Sequence, residues 1–347
     1  MVCIGIREEK LLKKIKIGVI GVGHLGRLHV QNYKLISDAD IIGIYDLNSE
    51  RTQKIGQEFQ VKTYDKLEQL LDQIEAASIV VSTTNHFNIA QTCLERGIHC
   101  LVEKPITTTL EEADKLIQVS RLNNRILQVG HIERFNPAIV ALNDLDLAPM
   151  FIESHRLASF NPRGTDVAVV LDLMIHDIDI ILHLVKSHVT KINASGVAVV
   201  TDEVDIANAR LDFANGSVAN ITASRISQKK MRKMRLFQRN AYIGIDFLQK
   251  FSEIYQLVDS VDVKIRPNQI PIEFGEFDQY GKSKKITYER RQIEETNALK
   301  MELESFLDAI KTGKRPAVSG EEGREALRVA IEITDMIKSQ VKNLLEQ

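Results

Sequence analysis

Between residues 15 and 131, short β-branched runs alternate with helical segments, an order that few folds accommodate. The runs are IKIGVIG (Ile15–Gly21), IIGIYD (Ile41–Asp46), AASIVVST (Ala76–Thr83), GIHCLVEKP with its strand ending at Glu103, and RILQVGH (Arg125–His131). Between them HLGRLHVQNYKL, KLEQLLDQ, His86–Arg96 and Leu110–Arg121 read as helices. Strands that alternate with helices pair in parallel through crossover connections, which predicts a doubly wound α/β sheet.

The first strand runs directly into Gly21-Val22-Gly23-His24-Leu25-Gly26, a G-x-G-x-x-G turn that opens a helix. Alone the motif is weak, but strand, turn and helix in this order give it meaning. The first glycine permits the tight turn, the second lets backbone approach a pyrophosphate, and the third allows close helix–strand packing. The helix N-terminus then offers free N–H groups and partial positive charge to phosphate. Asp46 stands twenty residues beyond Gly26, at the end of the second strand. An acid there accepts hydrogen bonds from ribose hydroxyls and repels a 2′-phosphate, so NAD is expected over NADP, with Arg51 close by in sequence. Thr83, Thr84 and Asn85 close the strand from Ala76, with His86 behind them; they can line the cofactor cleft, and capping the following helix is compatible with that. Glu103-Lys104-Pro105 sits at the same carboxyl edge, where a lysine reaches both a nicotinamide ribose and a substrate hydroxyl. Lys104-Pro105 is a candidate cis peptide, since such bonds are nearly confined to proline.

After Pro137 the pattern changes to strand candidates with period-two alternation: FIESHRLAS, KINASGVAVV, DIANARLDFA, SVANITASR and MRKMRLFQ. They suit a large open, mainly antiparallel sheet. Two helical segments, Glu294–Thr312 and Gly320–Leu345, follow. The expected organisation is an extension at 1–13, a Rossmann domain at 14–132, and an α+β domain for substrate binding and oligomerisation at 133–347.

One apolar helix, LDLMIHDIDIILHLV (Leu171–Val185), carries Asp172, His176, Asp179 and His183 at spacings of 4, 3 and 4. That spacing puts all four on one face, and buried charge is costly unless paired or used. The stripe should therefore face a partner, water or a cleft. His176 suits a general base near neutral pH, and Asp172 can orient its ring or hold a substrate hydroxyl. His183 reads as structural. Asp and His at helical spacing, or His131 with Glu133, could ligate metal, but no cysteine or H-E-x-x-H element joins them, and no metal is expected. Lys229, Lys230, Arg232, Lys233 and Arg235 form a basic cluster that suits a solvated face, a substrate phosphate or a subunit contact.

With 45 basic and 47 acidic side chains the net charge is −2, which argues against nucleic acid as a partner. No apolar run approaches a membrane span, so no membrane partner is expected. The three cysteines, Cys3, Cys93 and Cys100, form no CxxC pair, and MVCIGIREEK places charges where a signal peptide needs an apolar core. A reducing, cytoplasmic setting follows.

GVIGVGHLG, then EKP at Glu103–Pro105, then DLMIHDID at Asp172–Asp179, together with ESFLDAIKTGKRP (Glu304–Pro316), resemble the Gfo/Idh/MocA oxidoreductases over nearly the whole chain. The resemblance implies NAD, a homodimer or homotetramer built on the open sheet, and catalysis by Lys104, Asp172 and His176. Lys104 would bind and polarise a substrate hydroxyl, and His176 would take its proton. Within the family, VGHIERFNP (Val129–Pro137) and FNPRGTDVAVVLDLMIHDID are similar to members acting on nucleotide sugars. That similarity implies oxidation of the 3-hydroxyl of UDP-N-acetylglucosamine on a route to the diamino sugar of lipid A. It also implies Glu133, Arg134, Asn136 and Arg163 as substrate-side residues, an arginine fork being suited to a diphosphate. The alternatives are another sugar, inositol or imine substrate, or a non-catalytic nicotinamide-binding sensor.

Overall fold

The computed structural model describes residues 14–161, 167–259, 269–279, 282–293 and 296–345. Residues up to Gly130, rejoined by Leu299–Gly320, form one unit; His131–Ala298 and the chain from Glu321 form the other. The sequence reading ran the second domain unbroken from residue 133, so the return of Leu299–Gly320 to the first unit is a difference.

The first unit holds β1 (Ile15–Ile20), α1 (His24–Tyr33), β2 (Ala39–Tyr45), α2 (Ser49–Phe59), α3 (Leu67–Leu71), β3 (Ala76–Ile79), α4 (Thr83–Glu95), β4 (His99–Glu103), α5 (Leu110–Leu122) and β5 (Leu127–Gly130). Its five strands are all parallel, in the order β2-β1-β3-β4-β5. Strands β3 and β5 are buried along their whole length, as two-sided cover by helices requires. Strand order reverses beside β1, which makes its carboxyl end the switch point where open α/β sheets bind ligands. Local chemistry starts the helices. Asn48 accepts from the Arg51 N–H at the head of α2, and Thr109 with Glu112 forms a capping box on α5. The returning stretch carries most of α8 (Ala298–Thr312). Ser319 makes an antiparallel bridge with Gln128 on edge strand β5, and the Gln128 side chain donates to the Glu302 carbonyl at 3.2 Å. The edge that ends the parallel sheet is thereby covered, a demand set by pairing rather than by local sequence.

The second unit begins with a 3-10 turn (Ile132–Phe135), α6 (Pro137–Val140) and β6 (Phe151–Leu157). A π-helical turn (Val170–Met174) leads into α7 (Ile175–Val185). Strands β7 (Val189–Val197), β8 (Ile206–Phe213), β9 (Val218–Ser224), β10 (Met231–Gln238), β11 (Ala241–Asp246), β12 (Phe251–Asp259), β13 (Gln269–Gln279) and β14 (Lys282–Arg291) follow, and α9 (Gly320–Leu345) closes the chain. The described strands make a nine-stranded sheet, β13-β14-β12-β11-β10-β6-β9-β8-β7. It is antiparallel except for the parallel pair β6–β9. Alternation in β6, β8 and β9 turns Ile152, Ala209 and Ile221 toward α7 and α9, where Ile178, Ile181, Val329 and Ile333 meet them in one core. All five strand candidates are present. Strands β11 to β14 were not among the candidates; in β14, KSKKITYERR, charges leave the apolar alternation faint. None of the described helices is long and apolar enough to cross a membrane.

One carboxylate holds the β7–β8 connection. Asp205 is fully buried and accepts from the N–H groups of Val199, Val200 and Thr201 at 2.7–3.0 Å and from the Thr201 hydroxyl at 2.8 Å. Burial pushes its pKa up, but these donors together outweigh burial and hold it at about 2, against an ordinary 3.8. A depressed acid contributes stability that is present above its unfolded value and lost as pH falls through the folded one. The urea midpoint should therefore lose an Asp205-dependent part between pH 4 and pH 2. Asp205→Asn should be less stable at pH 7 and decline less over that window; equal declines in both proteins would refute the assignment.

Candidate active site

The glycine turn leaves β1 with Gly21 at φ +86°, a conformation that L side chains rarely adopt. A Cβ on Gly26 would lie 1.9 Å from the Gly21 carbonyl oxygen, so α1 packs on the turn only through glycine. Gly23 differs: a Cβ there would meet nothing nearer than the Arg51 guanidinium at 4.0 Å. No internal contact demands glycine at this position, so the open space above it suits a ligand's approach. His24 and Leu25 stand exposed on the first turn of α1. Asp46 accepts from the Val22 N–H at 2.8 Å and the Asn48 N–H at 2.9 Å, and pairs with Arg51 at 3.3 Å. The acid is thereby held against the glycine turn itself. The residues fit NAD.

This geometry makes a prediction. Gly23→Ala should leave the melting temperature unchanged and weaken NADH binding, read by fluorescence titration, by about 10- to 200-fold, the effect of one added carbon in a filled site. Unchanged affinity would show that no ligand approaches there.

The residues after β3 correct one expectation. Thr83, Thr84 and Asn85 do not close a strand; they open α4, with Ser82 as its N-cap. β3 ends at Ile79, and Asn85 donates to the Ser82 hydroxyl at 2.8 Å. His86 is 1% exposed, and its ring nitrogens lie 2.9 Å from the Pro105 carbonyl and 3.2 Å from that of Val81. Burial lowers its pKa. His86, expected on the cofactor side, braces α4 against the turn after Lys104.

Lys104-Pro105 is cis, and Lys104 is half-buried at the carboxyl end of β4. Glu103 beside it is buried, with its carboxylate 3.0 Å from Nε2 of the fully buried His29 on α1. A Cβ on Gly130 would lie 2.8–2.9 Å from that carboxyl group, so the glycine of β5 leaves room for it. Sequence reasoning missed His29. Its signal was a titratable residue on the buried side of α1.

In the second unit Asp172 lies within the π turn, and His176 lies on the first turn of α7. Both are half-buried. His176, Asp179 and His183 keep the expected common face of α7 but differ in exposure, Asp179 being 1% exposed and His183 exposed. Asp179 accepts Arg134 through both oxygens, at 2.6 and 2.8 Å, and Arg134 reaches Glu322 at 3.4 Å. Glu133 accepts Arg156 at 2.9 Å, and Arg156 also grips Asp177 at 2.5 Å. Asn136 caps α6 through Ala138 and donates to Glu133 at 3.1 Å and to the Phe247 carbonyl at 3.2 Å. Glu133, Arg134 and Asn136, expected on the substrate side, are engaged with partners inside the protein. Arg163 lies outside the described residues. The basic cluster is largely neutralised: Arg232 pairs with Glu133, Lys233 with Asp246 and Arg235 with Glu153. Arg156 and Asp177 were missed, although period two in FIESHRL puts Arg156 on the face of Ile152, where an unpaired charge would be costly.

Comparison with known proteins bears on this constellation. Residues 15–131 match the model of the oxidoreductase family with NAD-binding Rossmann fold, and residues 153–243 match the GFO/IDH/MocA C-terminal domain. UDP-N-acetylglucosamine 3-dehydrogenase of Acidithiobacillus ferrooxidans is 37% identical over 320 residues, 92% of this chain and 96% of that protein. The chain belongs to the Gfo/Idh/MocA oxidoreductase family. A solved structure of the A. ferrooxidans enzyme superposes with a TM-score of 0.83 at 36% identity, covering 94% of this chain and 98% of the other. Myo-inositol 2-dehydrogenase of Thermotoga maritima is 24% identical across 90% of this chain and 93% of its own length. A dehydrogenase structure from Clostridium difficile, at 21% identity and TM-score 0.76, covers 94% of this chain and all of that one and shares the fold. As a Gfo/Idh/MocA member with this glycine turn, the protein is an NAD-dependent dehydrogenase.

Proposed function

We propose that the protein oxidises the 3-hydroxyl of UDP-N-acetylglucosamine to a ketone, a product suited to transamination toward the diamino sugar of lipid A. The similarity to the A. ferrooxidans dehydrogenase carries this reading, because it extends over nearly the full length of both chains. In it, Lys104 binds the hydroxyl oxygen and holds the negative charge that develops there. His176 takes the hydroxyl proton on a ring nitrogen. Asp172 orients that ring or holds a neighbouring hydroxyl. Bound NAD supplies the acceptor for the hydride that leaves the same carbon. The Asp46 carboxylate holds the adenosine ribose, and the open backbone at Gly23 admits the pyrophosphate.

Mixing protein, NAD and UDP-N-acetylglucosamine should raise NADH absorbance. Turnover of myo-inositol or a free sugar in its place would overturn the substrate and leave the enzyme class intact.

The reading includes a homodimer or homotetramer. Phe151, Phe237, Tyr242, Tyr255 and Tyr288 stand directly opposite one another across five neighbouring strands, with successive ring centroids 5.0–5.8 Å apart. This half-buried aromatic row, on the face opposite the α7–α9 core, supports self-association through the open sheet. The buried free thiols of Cys93 and Cys100 support a reducing, cytoplasmic setting.

A further inference from the structure

The His176 ring has a fixed neighbour in its own unit. His131 meets it edge to face, with centroids 6.5 Å apart and planes at 87°, inside the range that aromatic pairs prefer. His131 is 1% exposed, and its Nδ1 lies 3.9 Å from Oδ2 of Asp179. Asp179 is itself clamped, since Arg134 donates to both of its oxygens. A third nitrogen of Arg134 reaches Glu322 on α9. The 3-10 turn, α7 and α9 are therefore tied at one point, and His131 stands between that point and His176.

A buried ion pair is a weak source of stability, because desolvation offsets much of its attraction. It does hold a particular geometry, and a catalytic group needs one, to within about 0.5 Å and 10–20°. The ring contact of His131 transmits that geometry to a half-buried imidazole on the first turn of a helix, next to a π turn. We propose that His131, braced by the Asp179–Arg134 pair, is a positioning residue that sets the ring orientation of His176. The inference deepens the reading above, since it rests on His176 being the proton acceptor.

The test uses the full-length protein with NAD. His131→Ala removes the neighbouring ring, while His131→Phe keeps its volume and drops the nitrogen beside Asp179. Crystal structures should show the His176 ring rotated or spread over several rotamers in His131→Ala. In sugar oxidation kcat should fall about 100-fold in that variant, the effect of a small misplacement of a reacting group. The loss should be about 10-fold in His131→Phe. KM for the sugar and NADH affinity should stay within twofold, a split that general loss of structure would not produce. A His176 ring unchanged in His131→Ala overturns the proposal. So does a kcat within twofold of wild type in whichever of the two variants folds. A wild type that does not oxidise UDP-N-acetylglucosamine defeats the substrate reading instead, and the crystallographic comparison still decides the positioning role.

Discussion

Replacing Lys104 by alanine, or His176 by glutamine, is expected to lower kcat by about 10²- to 10⁴-fold, the range for losing a positioned proton-transfer or charge-stabilising group. NADH affinity should change by only a few-fold, because the glycine turn and Asp46 that fit the cofactor are untouched. The two substitutions should not add. Once the proton acceptor is gone, stabilising the oxygen from which the proton leaves has little left to act on. Stopped-flow measurement of NADH formation with saturating sugar checks both points. Wild-type rates in either variant would show that the residue has no part in the chemistry.

Asp177→Ala should destabilise the protein by about 3–5 kcal/mol, the cost of stranding a buried charge. Arg156 is 1% exposed and holds Asp177 through Nε at 2.5 Å and Nη2 at 3.3 Å. Burial alone would lower its pKa, but Asp177 and Glu133 more than restore it, so the guanidinium stays charged. Ser154 would also lose its acceptor, Oδ1 of Asp177 at 2.9 Å. Glu133 would remain as a single carboxylate partner. The double variant Asp177→Leu with Arg156→Met removes this pair, leaves Glu133 to Asn136 and Arg232, and should recover part of the loss, as apolar replacement of buried pairs commonly does. Urea unfolding of the wild type, Asp177→Ala and the double variant measures this. A double variant as unstable as Asp177→Ala would mean that shape, and not charge, carries the site.

The parallel sheet was legible because its signals are local. A strand followed by G-x-G-x-x-G reports a turn whose geometry depends on adjacent residues, and Asp46 was found from its distance along the chain. The helix around His176 was legible for the same reason, through its spacing. Its opening π turn was not, since a change of hydrogen-bond register leaves little trace in composition. Thr83 to Asn85 were placed on the wrong element because the apolar run of β3 continues past the point where pairing stops.

The partners of Glu133, Arg134 and Asn136 were beyond local reading. Arg134 meets Asp179 across 45 residues, and Arg156 meets Asp177 across 21 and Glu133 across 23. Nothing in VGHIERFNP distinguishes an arginine that grips a diphosphate from one that grips an aspartate. By itself the sequence determined the alternation, the glycine turn with its acid, and the residue types that carry the chemistry, because each follows from neighbours along the chain. Only the tertiary structure decided which charges are engaged inside the protein and that Leu299–Gly320 returns to the first unit. Those outcomes depend on which distant groups desolvate one another when the chain closes.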